Sequence, residues 1–435
     1  MFGNRAIGAW LSRAHPVVFS AYAICAAFST YFCMYAFRKP FAAGTFDGEV
    51  DLPGVGPIGY KTLFIISQVL GYCVSKFMGI KVISELTPSR RAMGIVAAIS
   101  LAWLGLFLFA VLPAPFNALA LFVNGLPLGM IWGLVFGFLE GRRLSEVLGA
   151  GLSVSYIVAS GYVKAVGRWL VGQGVDEYWM PFATGAIFAI PMLFFVWMLS
   201  NLPPPSEEDE AARSKRAPMD AEARRAFFLQ YLPGLLSLTS LYILLTAYRD
   251  FRDNFAVEIW AAIGYDDQPE ILATSENWVA LGVLITLAVL MAIKDNRKAL
   301  IAVHVIMMMG TLLVGGSTLL WQMGVLDPAW WMILVGLGLY MAYVPYGCVL
   351  FDRLFAAVGA VGTAGFLIYV TDAFGYAGSV GLLLYKDLGQ PDLSWLEFFT
   401  GFSYLTSAVC STLFAISAVY FFRQARPTSP DAPQA

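Results

Sequence analysis

The sequence predicts an all-α integral membrane protein with twelve transmembrane helices in two six-helix halves. Three observations favour this fold class. Hydrophobic residues make up 59% of the 435 residues and charged residues 13%, about half the charged share of an average soluble domain. Apolar stretches long enough to cross a bilayer recur along the chain, and one long charged segment divides them six and six. A lipid bilayer can solvate such a surface, whereas water cannot.

Each predicted helix comes from a mostly apolar stretch of about 20 residues, the length that crosses the hydrocarbon core. The first stretch is long enough to span and lacks a small-residue cleavage pattern, so we expect it to remain as a helix and not to be removed as a signal peptide. The twelve segments are 16–44, 59–80, 92–113, 117–139, 144–169, 178–201, 228–256, 274–293, 299–321, 329–351, 361–385 and 393–422.

The charged segment PPPSEEDEAARSKRAPMDAEARR (203–225) is led by prolines and has no aromatic residue. This composition favours a flexible cytoplasmic linker, 202–227, because it cannot bury enough apolar surface to fold. The linker would join an N-terminal bundle, 1–201, to a C-terminal bundle, 228–425. Residues 426–435 have a similar composition, and we expect a disordered tail.

The basic residues predict the orientation. With both termini inside, eighteen of the 27 Lys and Arg fall on the cytoplasmic side, and every inner loop is basic. This distribution satisfies the positive-inside rule. We therefore expect a multi-pass protein of a bacterial cytoplasmic (inner) membrane with both termini in the cytoplasm.

Several classes of function have no support in the sequence. All five cysteines lie in apolar segments and are interpreted as small packing residues. The chain has no HExxH, GxSxG or P-loop pattern and no Cys/His cluster with ligand spacing. No basic–aromatic surface suggests nucleic acid. We expect no enzyme activity, no catalytic residue, no cofactor and no metal.

The first helix of each half carries an arginine behind a polar stripe. A tyrosine lies seven residues before each arginine and a hydroxyl three residues before it, and these offsets share one helix face. The stripes are Tyr31, Tyr35, Arg38 and Tyr242, Thr246, Arg249. The alternative is that both arginines flank the membrane and extend to the headgroups. Lys39, Arg252 and Asp253 close by favour that alternative.

Lys76 ends a second polar stripe, on an otherwise apolar helix, with Gln68 and Tyr72 at four-residue steps before it. A charge inside a membrane helix costs a few kcal/mol and usually faces a cavity or a partner. The alternative is that Lys76 extends to the inner membrane surface beside Lys81.

Asp372 is the acidic residue well inside the eleventh segment, GFLIYVTDAFGYAGSV, with Tyr369 and Tyr376 on its face. Two interpretations stand: a titratable coupling site, or a structural pair with one of the cations. Lys164 and Arg168, late in the fifth segment, are interpreted as anchors at the membrane interface.

These stripes resemble a known family, the organophosphate:inorganic phosphate antiporters of the major facilitator superfamily, which include glycerol-phosphate and hexose-phosphate transporters. The Tyr-rich stretch ending in Arg38-Lys39-Pro40-Phe41 is similar to that family's first helix, and Ser75-Lys76-Phe77 to an element of its second. Arg249 matches a membrane-embedded arginine of its seventh helix. GTAGF (362–366) and GYAGS (375–379) are similar to elements of helices ten and eleven. The resemblance covers most of the chain thinly.

The resemblance implies the major facilitator superfamily fold, with two six-helix bundles related by a pseudo-twofold axis. It implies a transporter that exchanges a phosphate ester for phosphate, in which Arg38 and Arg249 bind the substrate phosphate and Lys76 assists. A guanidinium fork suits phosphate because it is always charged and bonds two oxygens at once. We include Tyr35, Tyr72 and Tyr242 among the predicted substrate-binding residues. The expected partners are a small anionic solute and the lipid bilayer, and we expect a monomer.

The chain departs from that family at two positions. Tyr156 stands where the family has a histidine in helix five, and Asp372 has no counterpart there. Two alternatives to antiport therefore remain. One is a proton-coupled anion symporter that uses Asp372, and the other is a transporter-fold sensor of a phosphorylated ligand.

Overall fold

The computed structural model of the chain describes residues 4–54, 56–85, 88–140, 142, 144–211, 221–359 and 364–425. Most of these residues are α-helical, as predicted. The helices of the described ranges are α1 (Arg5–Leu11), α2 (Pro16–Tyr35), α3 (Tyr60–Glu85), α4 (Pro88–Val111), α5 (Asn117–Phe136), α6 (Ser145–Gly172), α7 (Met180–Ser200), α8 (Glu207–Ala211), α9 (Ala221–Gln230), α10 (Leu232–Asn254), α11 (Ala256–Ala262), α12 (Ile271–Met291), α13 (Asn296–Gln322), α14 (Pro328–Pro345), α15 (Phe351–Val358), α16 (Ala364–Leu384) and α17 (Trp395–Gln424).

Nine helices within the described ranges are long and apolar enough to cross a bilayer. The other three long helices there, α3, α10 and α16, each carry a charged residue well inside the helix: Lys76, Arg249 and Asp372. Every predicted segment overlaps one of these long helices. The protein is therefore a helical, multi-pass membrane protein, and the count of twelve spans stays a prediction.

The first predicted segment, 16–44, is wrong at its end, because α2 stops at Tyr35. Pro40 accounts for the difference: its ring would clash with the carbonyl four residues earlier in a continuous helix, and it has no N–H to donate. The chain makes a 3₁₀ turn at Pro40–Ala43 instead. Arg38 and Lys39 thus lie beyond the helix, in a buried turn.

Helix starts follow local capping chemistry. His15 accepts a hydrogen bond through Nδ1 from the N–H of Val17, and Pro16 occupies the first position of α2. Asp295 accepts from the N–H of Lys298 at 2.7 Å at the start of α13. Asp327 accepts from the N–H of Ala329 at 2.8 Å before α14. Such caps satisfy backbone donors that the first turn leaves without helical partners.

One β-hairpin interrupts the helical pattern between α2 and α3. β1 (Glu49–Leu52) pairs antiparallel with β2 (Gly56–Gly59), with Glu49 opposite Gly59 and Leu52 opposite Gly56. Gly54 in the turn has φ of +78°, a conformation that favours glycine. This hairpin was not predicted from the sequence.

The predicted linker and tail lie partly outside the described residues. Of the linker, 202–227, the structure describes α8 and the first residues of α9, so short helices flank its central residues. Residues 212–220 of the linker and the predicted tail, 426–435, lie outside the described residues.

The chain divides into two compact units. The first comprises Met1–Arg213, Asp250–Asn277 and Ser379–Phe399, and the second comprises Ser214–Arg249, Trp278–Gly378 and Thr400–Ala435. Two segments of the second half of the sequence thus belong to the first unit, and the boundary within α10 falls directly after Arg249. The predicted bundles, 1–201 and 228–425, stay a prediction.

Within the first unit, α3 and α5 approach at glycines. A Cβ atom on Gly125 would lie 2.3 Å from the backbone oxygen of Gln68, and one on Gly71 would lie 2.2 Å from that of Phe122. Both distances are far below van der Waals contact. Only glycine permits this backbone approach, which brings Gln68 of α3 against Asn124 of α5.

Within the second unit, α13 and α14 meet in the same way. A Cβ atom on Gly310 would lie 2.5 Å from the oxygen of Gly338, and one on Gly338 would lie 2.4 Å from the oxygen of Gly310. The helix α14 continues through a π-helical turn, Tyr346–Leu350, into α15. This arrangement places the tyrosines of α14 inside the unit, where Tyr343 is 8% exposed.

The glycine contact predicts a selective loss of stability. Gly125→Ala should lower the free energy of unfolding by about 1–3 kcal/mol, because the added methyl group forces two backbones apart. Gly316→Ala, at an exposed position of α13, is the matched control, since nothing lies within 4 Å of its Cβ position and alanine favours the helix. Thermal unfolding of both variants in detergent checks this prediction. Equal midpoints would contradict it.

Candidate substrate-binding site

Side-chain amides from two helices of the first unit hold the chain directly after α2. Gln68 of α3 donates through Nε2 to the backbone carbonyl of Arg38 at 2.8 Å and to Oδ1 of Asn124 at 2.7 Å. Asn124 of α5 donates through Nδ2 to the carbonyl of Phe37 at 2.9 Å and to that of Ala102 at 2.8 Å. Without these donors, the buried backbone carbonyls would lack hydrogen-bond partners, which would destabilise the folded state. The amides therefore fix the backbone at Arg38.

Two cations of the first unit lie beside one tyrosine ring. Arg38 is 5% exposed, and its guanidinium carbon lies 4.0 Å from the centre of the Tyr72 ring and 5.7 Å from that of Tyr35. Lys76 lies one helical turn after Tyr72, with Nζ 5.3 Å from the centre of the Tyr72 ring. Aromatic faces attract cations by about 0.5–2 kcal/mol. The first unit thus brings together four of the predicted site residues.

In the second unit, Arg249 lies among tyrosines of two other helices. Its guanidinium donates through Nη1 to the hydroxyl of Tyr343 on α14. The guanidinium carbon lies 4.6 Å from the centre of the Tyr343 ring and 5.9 Å from that of Tyr376 on α16. Arg249 is therefore held by an aromatic and hydroxyl environment, as Arg38 is held by aromatic rings in the first unit.

Asp372 belongs to the same group of side chains. Tyr242 of α10 donates its hydroxyl to Oδ1 of Asp372, and the hydroxyls of Tyr242 and Tyr343 lie 2.9 Å apart. Tyr242 and Tyr343 stack with ring centres 5.2 Å apart. Asp372 is 9% exposed. The carboxylate is thus connected to Arg249 through two tyrosine hydroxyls.

Tyr343 was not among the site residues predicted from the sequence. A signal was present, because Tyr340, Tyr343 and Tyr346 recur every three residues in LYMAYVPYG, and Tyr340 and Tyr343 share one face of α14. The partners of Tyr343, Tyr242 and Arg249, are 101 and 94 residues away in sequence, so these contacts follow from the fold alone. The side chain of Tyr369, predicted beside Asp372, lies outside the described residues.

A second cluster of charges, which we call the lysine–aspartate cluster, comprises Lys39, Lys164 and Asp253 and lies wholly in the first unit. Lys39 Nζ lies 2.6 Å from Oδ2 of Asp253, and Lys164 Nζ lies 2.8 Å from Oδ1. Ser160 also donates to Oδ1, and Lys39 donates to Asn254 at 2.8 Å. The lysines are 4% and 2% exposed. One carboxylate therefore balances two buried ammonium groups.

The lysine–aspartate cluster shows that one interpretation of the sequence, that of Lys164, is wrong. Lys164 is not an anchor at the membrane interface, because its side chain is buried and paired. Arg168 fits the anchor interpretation better: it lies 3.7 Å from Asp266, and both side chains are partly exposed. Further buried pairs of the first unit are Lys61 with Glu258 and Arg252 with Glu276.

The loop after α16 contacts the β-hairpin through Asp387. Burial raises the pKa of the Asp387 carboxyl, and hydrogen bonds from the Thr62 hydroxyl and the Gly59 N–H partly offset that rise. A raised pKa of an acid means that the folded chain binds the proton more tightly than the unfolded chain. The buried Asp387 carboxyl therefore contributes most to stability in acid, and that contribution is lost as the pH rises through the folded pKa.

Most of the sequence, residues 40–424, matches the family of unknown function DUF5690. The chain belongs to this family. No curated protein matches the sequence.

Solved transporter structures resemble this DUF5690 member at low sequence identity. The D-xylose–proton symporter has a TM-score of 0.59 at 14% identity, covering 94% of this chain and 98% of that protein. The nucleoside transporter NupG has a TM-score of 0.59 at 12% identity, covering 92% and 99%. The xylose transporter XylE from E. coli, in an inward-open conformation, has a TM-score of 0.58 at 11% identity, covering 96% and 98%.

These neighbours confirm the predicted fold class, the major facilitator superfamily fold. Similarity at this level of identity establishes the fold alone, because one fold serves many functions. The closer resemblance to organophosphate antiporters stays a prediction, and so do the substrate-binding roles of the named residues.

The lysine–aspartate cluster predicts a large effect of one substitution. Asp253→Asn should lower the free energy of unfolding by about 3–5 kcal/mol, because two buried ammonium groups lose their shared anion. Asp266→Asn is the matched control, since its ion pair with Arg168 is exposed and spans 3.7 Å, and such pairs contribute about 0–1 kcal/mol. Thermal unfolding in detergent measures both. Similar stability of the two variants would contradict the assignment.

Proposed function

We propose that the protein is a secondary active transporter that moves a small, anionic, phosphorylated organic solute by alternating access. One observation carries the proposal. Arg38 and Lys76 lie against the Tyr72 ring, and Arg249, the equivalent arginine of the second half, lies against Tyr343. The transporters that share the fold support the general class.

A phosphorylated substrate suits this set of side chains. In the first unit a guanidinium and an ammonium group lie beside the same ring, and an anion of charge −2 offsets the repulsion between them in a medium of low dielectric constant. When an aromatic ring covers the face of a guanidinium, the N–H groups still point outwards in the plane of the guanidinium, where two of them can donate to two phosphate oxygens. Tyr35 and Tyr242 supply further polar groups beside the two arginines.

Exchange with phosphate follows from the same charges. If the substrate anion lowers the energy of these cations, a change of access with an anion bound costs less free energy than one without it. A second anion, such as inorganic phosphate, removes that cost on the return step. The protein should therefore exchange one anion for another faster than it takes up either alone.

Proton-coupled symport is the second candidate, and one observation favours it. Asp372 accepts a hydrogen bond from Tyr242, within the group of side chains that surrounds Arg249. Uptake of a proton by this carboxyl would remove a negative charge beside the anion site. Anion and proton would then favour one another's binding.

Counterflow in proteoliposomes tests the substrate class. We expect radiolabelled phosphate or a phosphate ester to accumulate against an internal phosphate ester, and sugars, nucleosides and peptides to give no signal. Arg38→Lys and Arg249→Lys should each lower the exchange rate about 10–100-fold, because lysine keeps the charge and loses the bidentate fork. Arg353→Lys is the matched control, since Arg353 donates to Asn296 in an exposed position.

The outcomes separate the alternatives. Exchange at the normal rate in both lysine variants would contradict the binding roles of the arginines. Exchange of neutral solutes would contradict the substrate class. Tight binding of a phosphate ester without flux would favour the sensor alternative.

Asp372→Asn tests the symport candidate. The substitution keeps the shape of the side chain and removes its titration. If Asp372 couples a proton to the anion, net uptake should lose its dependence on an imposed pH gradient while exchange continues. Uptake and exchange are measured in the same vesicles, with and without the gradient. Unchanged dependence on the gradient would leave Asp372 with a packing role.

A further inference from the structure

We propose that the second unit binds one anionic phospholipid at the end of the unit where α13 begins and α17 ends. In this site the lipid phosphate lies beside Arg297 and Arg423, and an acyl chain follows an apolar groove along α17. The proposal goes beyond the proposed function, because it involves neither Arg38 nor Arg249.

The helices α13 and α17, both in the second unit, lie side by side and run in opposite directions. The hydroxyl oxygens of Thr311 and Ser411 lie 2.8 Å apart. Arg297, which precedes Thr311 by several turns, contacts Phe422, which follows Ser411. Earlier positions of α13 thus meet later positions of α17. The start of one helix and the end of the other therefore lie together at one end of the unit.

Arg297 lies against this end of α17. Its guanidinium carbon lies 4.5 Å from the centre of the Phe422 ring. The ring lies over the guanidinium, so the N–H groups of the fork point outwards in its plane. The Nε atom of Arg297 is buried and has no hydrogen-bond partner among the described residues. The two unesterified oxygens of a phosphodiester are suitable acceptors for such a fork.

Four cations lie at this end of the two helices: Lys294, Arg297, Lys298 and Arg423. In the part of the chain that the structure describes, no carboxylate forms an ion pair with any of them. Asp295, the carboxylate within this stretch, caps α13 by accepting from the N–H of Lys298 at 2.7 Å. Uncompensated cations at a membrane surface attract anionic headgroups. A zwitterionic headgroup is less suitable, because its own ammonium is repelled.

An apolar groove runs along one face of α17 and leads to Arg423. Ile416 and Val419 in this groove are 52% and 54% exposed. Tyr420, near the end of the helix, has the place of an aromatic residue at the membrane interface. The lining residues recur at helical spacing: Ala415, Ile416, Val419, Tyr420, Arg423 and Gln424. An acyl chain in this groove and a phosphate at its end have the geometry of one phospholipid.

The surroundings favour a lipid over a soluble anion. A soluble phosphate at Arg297 and Arg423 leaves the groove uncovered, whereas an acyl chain buries its apolar side chains. The predicted orientation also places this end in the cytoplasmic leaflet, whose surface is negative because it contains anionic lipids. A lipid bound here connects the start of α13 to the end of α17 through one phosphate.

Titration of the purified full chain in detergent with phosphatidylglycerol, followed by native mass spectrometry, tests the proposal. We expect the first phosphatidylglycerol to bind about tenfold more tightly than zwitterionic phosphatidylcholine with the same acyl chains. Arg297→Gln and Arg423→Gln should each raise the Kd for phosphatidylglycerol about fivefold, because each removes one positive charge beside the phosphate. Arg13→Gln removes an exposed cation of the first unit. It is the matched control and should keep the wild-type Kd.

A bulky side chain in the groove tests the position of the acyl chain. Val419→Trp should raise the Kd for phosphatidylglycerol about fivefold, because the indole occupies the groove. Leu405→Trp is the matched control, since Leu405 is 52% exposed on the same helix and lies about 27 Å before Arg423 along the axis. Excess glycerol phosphate, which has no acyl chain, should leave the lipid bound to wild type.

Each contrary outcome overturns the proposal. Equal binding of phosphatidylglycerol and phosphatidylcholine means that the headgroup is not recognised. Equal losses in Arg13→Gln and the two other arginine variants mean a general attraction to positive charge. Displacement by glycerol phosphate means that the arginines bind a soluble anion. The proposed function is tested by flux in the variants of Arg38 and Arg249, so it stands or fails separately from these results.

Discussion

Placing positive charge inside a membrane protein is the constraint on which the rest of this structure depends. A buried ammonium or guanidinium group costs several kcal/mol unless an anion, a hydroxyl or an aromatic face compensates for the lost water. The chain uses all three kinds of compensation. Asp253 balances two lysines, Tyr343 accepts from Arg249, and Tyr72 offers its ring to Arg38. A carboxylate neutralises the charge of the lysines beside it, whereas an aromatic face stabilises a cation without changing the net charge.

The location of the long helices was predictable, because a span needs about 20 apolar residues and composition alone reveals such stretches. The arginine stripes were also visible, since residues three and seven apart share a helix face. Local chemistry that overrides hydropathy caused the boundary error. Residues 36–44 are apolar enough to continue α2, but Pro40 cannot occupy a helix interior.

The sequence could not predict which groups the charged side chains contact. Lys164 and Asp253 are 89 residues apart, and a lysine near the end of a span has the same composition whether it extends to lipid headgroups or meets a carboxylate. Tyr343 was missed for a related reason: buried tyrosines are common in helix interiors, and its role follows from Arg249 and Tyr242 on a different helix. Patterns within one helix predicted candidates, and contacts between helices decide what those candidates touch.

The π-helical turn Tyr346–Leu350 between α14 and α15 affects how this stretch compares with related sequences. A π turn holds one residue more than an α turn, and one residue corresponds to about 100° of rotation around the axis. A helical wheel drawn without interruption from Pro328 to Val358 therefore places residues after Leu350 on the wrong face. The positions of Tyr343 and Arg353 around the helix axis therefore cannot be read from one helical wheel. An alignment that removes one residue here changes which side chains of the later part face inward, although both segments stay helical.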